Sequence, residues 1–109
     1  MEDHEPGVWV SSGGERLVVH VGGEMDIDRA PMLAGALHTA ITQPDGPGEI
    51  VVDLAELSFC DSAGLNALIQ ARRTAAEHGK RLTLRSPQTQ TLRLLKMTGA
   101  DALFPITDT

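Results

Sequence analysis

Ile50-Val51-Val52-Asp53-Leu54-Ala55-Glu56-Leu57-Ser58-Phe59-Cys60-Asp61-Ser62-Ala63-Gly64-Leu65 decides the fold. Residues 50–54 are apolar except for Asp53, with almost no alternation, which favours a central or parallel strand covered by helices. Residues 55–60 read as a short linker. A helix then runs from about Ser62 to His78, with Gly79 as its stop. Leu65, Leu68, Ile69 and Ala76 form its apolar face, and Arg72, Arg73 and Glu77 look solvated. A buried strand that feeds a helix needs a second strand beyond it, and Arg81-Leu82-Thr83-Leu84 supplies one.

Further helices and strands flank this segment, without an internal repeat. Upstream, residues 28–42 read as a helix, with Leu33, Leu37, Ala40 and Ile41 on one face and Pro31 in the first turn. Residues 43–48 are a loop. Val8-Trp9-Val10 and residues 16–21 read as a strand hairpin across a turn at residues 11–14, ended by Gly22-Gly23. Downstream, Ser86-Pro87 reads as an N-cap and N1 proline opening a helix to about Met97, stopped by Gly99. Residues 102–106 are a last short strand or an extended tail. The order is β-β-α-β-α-β-α with a possible terminal β. Right-handed crossovers put the helices on one face. The expected fold class is α/β, a small mixed sheet of about four to five strands with helices packed on one side. Its other face must be polar or covered. Residues 1–7 form a flexible lead, 8–106 the domain and 107–109 a tail.

The 109 residues suit one domain. Nine Lys and Arg against fifteen Asp and Glu leave a charge of −6. That excludes the cationic footprint nucleic acid requires. The aromatic residues are only Trp9, Phe59 and Phe104, too few for base-stacking platforms. The single Cys60 rules out an intramolecular disulfide. Apolar runs are too short for a membrane helix, and the acidic start is unlike a signal peptide. The expectation is a cytoplasmic domain with a protein or small-ligand partner, no nucleic acid and no membrane.

Asp61-Ser62 supports two readings. One is a plain N-cap, since both side chains accept orphan N–H groups there. The other is a modification site at Ser62. A hydroxyl at an exposed helix N-terminus is open to a kinase, and a phosphate would meet unsatisfied N–H groups and the helix dipole. Asp61 would place that charge on an existing negative patch. Gly64, a poor helix former, would let another protein's backbone approach. Asp26, between a strand and a helix, is expected at the same end of the sheet, where α/β sites form. Asp26 and Asp28 are too few ligands for a metal. Cys60 reads as core packing.

An enzyme is the first rival. Asp-Ser-Ala-Gly is not the Gly-x-Ser-x-Gly elbow, and His4, His20, His38 and His78 fall in the lead, a strand and two helices. No Gly-x-x-x-x-Gly-Lys-Ser/Thr loop occurs. No enzyme activity and no cofactor are expected.

Gly23-Glu24-Met25-Asp26 before a helix, then Val51-Val52-Asp53-Leu54 and Leu57-Ser58-Phe59 leading into Asp61-Ser62-Ala63-Gly64-Leu65, resembles the STAS superfamily, and specifically bacterial anti-sigma factor antagonists. The resemblance covers about residues 8 to 106. It implies a domain whose unphosphorylated form binds a serine-kinase anti-sigma factor and releases the sigma factor. It implies that this kinase phosphorylates Ser62 using ATP and that a PP2C-type serine phosphatase resets it. By position, Ser62 is the phosphoacceptor, and Asp26, Asp61, Ala63 and Gly64 belong to the partner surface. Met25, Arg29-Ala30-Pro31 and Cys60 depart from the usual pattern without removing a matched functional residue. STAS-like domains also serve as accessory or scaffold subunits of lipid transport or stress-sensing assemblies, which is the alternative.

Overall fold

A computed structural model describes residues 7–109. Apart from Gly7, the expected lead lies outside the described residues. Strand β1 (Val8–Gly13) turns at Gly14-Glu15 into β2 (Arg16–Met25). Helix α1 (Ala30–Thr42), β3 (Glu49–Cys60), α2 (Ser62–Glu77), β4 (Arg81–Arg85) and α3 (Thr89–Thr98) follow. A 3₁₀ turn (Ala100–Leu103) leads to β5 (Ile106–Thr107). The spatial order is β1-β2-β3-β4-β5. β1 is antiparallel to β2, and β2 to β5 run parallel, so the sheet is mixed as expected.

The core lies between the helices and one sheet face. Val19, Val21, Ile50, Val52, Leu54 and Leu84 meet Leu33, Leu37, Ile41, Leu68 and Leu95 there, all essentially buried. The α1 face read from the sequence is the buried one. On α2 the stripe is rotated. Ala71 and Ala75 are buried and Ala76 is exposed, so the small residues let α1 and α2 pack closely.

Several boundaries differ from the sequence expectation, and three of them shape the site. β2 continues through Gly22-Gly23 to Met25, and β3 continues through residues 55–60. The two strands stay paired, Gly22 with Glu56 and Met25 with Cys60, because β3 takes up two extra residues at register shifts. Core positions on β3 therefore run 50, 52, 54 and then 57 and 60. That spacing hides a strand from any test for alternation. Third, α3 opens at Thr89 with Gln88 as N-cap. Ser86 is not a cap: it adopts φ 55° and joins the C-terminal strand instead. Its N–H donates to Thr107 O (2.7 Å) and its hydroxyl to Asp108 O (2.9 Å). The terminal strand is only Ile106–Thr107 and takes in the first residue of the expected tail.

The other sheet face carries a polar cluster next to Val18 and Val51. His20, Asp53 and Arg85 stand side by side on β2, β3 and β4. Arg85 Nη2 donates to Asp53 Oδ2 at 2.9 Å, and His20 Nδ1 lies 3.4 Å from the same oxygen. Trp9 stacks on the His20 ring at 4.7 Å, and Ser11 Oγ lies 2.9 Å from His20 Nε2. Burial pushes the Asp53 carboxyl up. The Arg85 hydrogen bond, the Ala55 N–H and the charges of Arg85 and His20 outweigh burial and hold it below its ordinary 3.8. A depressed folded-state pKa stabilises the fold above the unfolded value and loses that contribution as pH falls through the folded one. Denaturant titrations below about pH 4 should thus show a smaller acid loss for Asp53→Asn than for the parent protein. Equal acid losses would refute the assignment.

Candidate partner-binding site

β2 and β3 end together, and their ends hold the site. Met25 pairs with Cys60, and the Asp61 N–H donates to the Met25 carbonyl at 3.1 Å. The β2–α1 loop and the start of α2 are therefore tied side by side, as expected for Asp26 and Ser62. Asp61 has extended backbone (φ −103°, ψ −171°) and is the N-cap of α2. Its Oδ1 accepts from Ala63 N (2.9 Å) and Gly64 N (3.2 Å). The N-cap read from the sequence is made by the Asp61 side chain. Ser62, the first residue of the helix, is exposed, and its hydroxyl is tied to no group among the described residues.

Asp26 organises its own loop. Its Oδ1 accepts from the N–H groups of Asp28 (3.1 Å) and Arg29 (3.2 Å), and its carbonyl accepts from Ala30 N at 2.8 Å. Helix α1 consequently begins at Ala30, two residues later than the sequence suggests, with Pro31 in its first turn as expected.

Gly64 is buried, which corrects the expectation that it opens space for a partner's backbone. A Cβ there would lie 2.8 Å from Cys60 Sγ, 2.9 Å from Met25 Cγ and 3.1 Å from Met25 O. The missing side chain faces inward and lets the first turn of α2 sit against the ends of β2 and β3. Cys60 is 1% exposed. Burial, reinforced by the Asp61 charge, pushes its thiol up to about 11. A protonated, enclosed thiol fits the packing role read from the sequence.

Gln90 was not singled out from the sequence. Its side-chain Oε1 accepts from Cys60 N (2.8 Å) and its Nε2 donates to Cys60 O (2.9 Å). Gln88 Nε2 donates to Ala55 O at 2.7 Å. β4 ends at Arg85, so these two side chains take the place of a strand neighbour along the last part of β3. No local signal marks them, because the partners are 30 and 33 residues away.

Removing the Asp61 carboxylate leaves the Ala63 and Gly64 N–H groups without their cap. Asp61→Ala should destabilise the domain by about 1 kcal/mol. A chemical denaturation midpoint unchanged by the substitution would show that the cap contributes nothing.

A mixed sheet ordered β1-β2-β3-β4-β5, with a capped helix presenting a serine at the shared end of β2 and β3, defines a small regulatory binding domain. The chain belongs to the STAS domain family: the family model described as "Mlab, STAS domain" matches residues 8–105. It is 31% identical over 90 residues to the anti-sigma-B factor antagonist of Staphylococcus aureus, covering 83% of this chain and 82% of that one. It also resembles the crystal structure of an anti-sigma factor antagonist from Mycobacterium paratuberculosis. There the TM-score is 0.83 at 28% identity, over 94% of this chain and 85% of that one. A Bacillus protein, SpoIIAA in its phosphorylated form, shares the fold with TM-score 0.70 at 21% identity, over 91% of this chain and 89% of that one. The first two of these are named as anti-sigma factor antagonists, which are regulatory binding proteins and not enzymes. Among the described residues no helix is long and apolar enough to cross a membrane.

Proposed function

We propose that this chain is an anti-sigma factor antagonist switched by phosphorylation at Ser62. The unphosphorylated protein binds a serine-kinase anti-sigma factor in the cytoplasm and so releases a sigma factor. The observation that carries the reading is Ser62 itself, exposed at the first position of α2 with its hydroxyl unengaged while Asp61 does the capping. The curated relative named an anti-sigma-B factor antagonist supports it.

The kinase transfers the γ-phosphoryl group of ATP to Ser62 Oγ. The serine hydroxyl loses its proton and ADP leaves. A PP2C-type phosphatase hydrolyses the ester and restores the hydroxyl. The phosphate adds a charge of about −1.5 to −2. Asp61 already occupies the Ala63 and Gly64 N–H groups, so a phosphate on Ser62 gains little from the helix N-terminus. It adds instead to the negative charge that Asp61 and Asp26 already place at this end of the sheet. An interface of about 800 Å² per partner centred on Ser62 would take in Asp26, Asp61 and Ala63. Gly64 supports that surface from beneath.

The test mixes the protein with ATP and each candidate anti-sigma serine kinase from the same genome, followed by mass spectrometry. The expected result is one phosphate on Ser62 and none on Ser62→Ala. Phosphate elsewhere, or none with any kinase, overturns the proposal.

A further inference from the structure

The last strand pair of the sheet leaves two large apolar side chains in solvent. Ile27, in the loop after β2, is 73% exposed, and Phe59, near the end of β3, is 41% exposed. Phe59 pairs across the sheet with Glu24, three residues before Ile27. Met25 and Cys60, the next pair, are joined onward by the Asp61 N–H bond to Met25 O (3.1 Å). Both apolar residues therefore belong to the Ser62 end of the molecule. Asp26 fixes the loop so that Ile27 stands outward, since its Oδ1 holds the N–H groups of Asp28 and Arg29 on either side of the turn. The bulged pairing at Glu24 and Phe59, with Ser58 Oγ donating to Gly23 O at 3.1 Å, fixes the strand end that carries Phe59. These side chains sit on ordered backbone, so burying them against a partner costs little conformational freedom.

The charge around them is mainly negative. Glu24, Asp26, Asp28 and Asp61 lie within three residues of Ile27 or Phe59. The cation among them is Arg29, whose Nη1 is occupied by the Glu24 carbonyl at 3.2 Å. An apolar pair inside an acidic rim is complementary to an apolar pocket inside a basic rim. Interfaces of this construction take their affinity from buried anchors and their encounter rate from the rim.

We infer that Ile27 and Phe59 are the apolar anchors by which this protein engages its partner kinase, and that the kinase surface they enter is an apolar pocket bordered by Lys and Arg. The inference rests on the function proposed above and adds the residues and the surface chemistry. It also explains why one phosphate suffices as a switch. Ser62 follows Phe59 by three residues at the same end of the sheet, so a dianion there would have to be desolvated when the anchors dock.

The test uses the full chain and the kinase that phosphorylates Ser62. Affinity is measured by calorimetry for Ile27→Ala, Phe59→Ala and Met97→Ala. Met97 is 77% exposed near the end of α3, two helical turns from Gln90, and controls for loss of any exposed apolar side chain. Ile27→Ala and Phe59→Ala should each raise Kd about tenfold or more, and Met97→Ala should leave it unchanged. Thermal unfolding should be the same for all three, since none of these side chains is in the core. The association rate should fall as salt is added. Unchanged affinity in both anchor variants, an equal loss in Met97→Ala, or a salt-independent association rate overturns the inference while Ser62 phosphorylation still stands. If no kinase phosphorylates Ser62, both readings fail together.

Discussion

Ser62→Ala should bind the partner kinase as tightly as the parent protein, Ser62→Asp more weakly, and the Ser62 phosphoprotein most weakly of all. The order follows from charge. Alanine removes only a hydroxyl that has no partner among the described residues. Aspartate adds one negative charge, and phosphate about two. Each charge lands beside the Asp61 carboxylate, whose Oδ1 is directed at the helix N–H groups. Burying an unpaired charge at the centre of an interface costs several kcal/mol, and every 1.4 kcal/mol is a factor of ten. The phosphoprotein should thus lose about a hundredfold or more in affinity, and Ser62→Asp about tenfold. Calorimetry with the three forms measures this directly. Equal affinity for Ser62→Ala and the phosphoprotein would remove the switch.

Gly64→Ala should be the most damaging conservative change at the site. In an exposed helix interior the replacement would stabilise by about 1 kcal/mol. Here the new methyl would lie under 3 Å from Cys60 Sγ and Met25 Cγ and 3.1 Å from the Met25 carbonyl. The side chains can shift in part, but the carbonyl belongs to β2 and is held by the Asp61 N–H. Overpacking of this kind costs about 1–3 kcal/mol, so the helix gain is lost and the melting temperature should fall by several degrees. Cys60→Ala removes the nearest contact. It should therefore cost less in the Gly64→Ala background than alone, a coupling that a double-mutant cycle resolves. Additive effects would mean that α2 moves as a body instead. The same movement would displace Asp61 and Ser62, so kinase affinity should fall with stability.

The helices were legible because their apolar residues recur at a period near 3.6, and the strand at residues 50–54 because four of its five residues are large and apolar. The capping of α2 was legible because Asp and Ser at a helix start carry their chemistry locally. The strand extensions to Met25 and Cys60 were not. Their buried residues fall at Leu54, Leu57 and Cys60, a spacing created by extra residues that only the pairing with β2 reveals. Ser86 misled for a related reason. Its Ser-Pro chemistry suits a cap, but hydrogen bonds to Thr107 and Asp108, more than twenty residues away, hold it in a left-handed conformation before the helix begins.

At the site, residue type alone marked Asp61, Ser62 and Asp26, since carboxylates and a hydroxyl at strand-to-helix junctions are informative wherever the chain goes. Which of them would be spent on backbone N–H groups, and which left free, depended on the backbone angles of Asp61 and the turn held by Asp26. The direction in which Gly64 lacks a side chain, the grip of Gln90 on Cys60 and the outward stance of Ile27 and Phe59 were decided by contacts between segments distant in sequence. Helix periods and caps are encoded within a few residues of themselves. Close approach, strand register and exposure are properties of pairs of segments, and they exist only once the chain has folded.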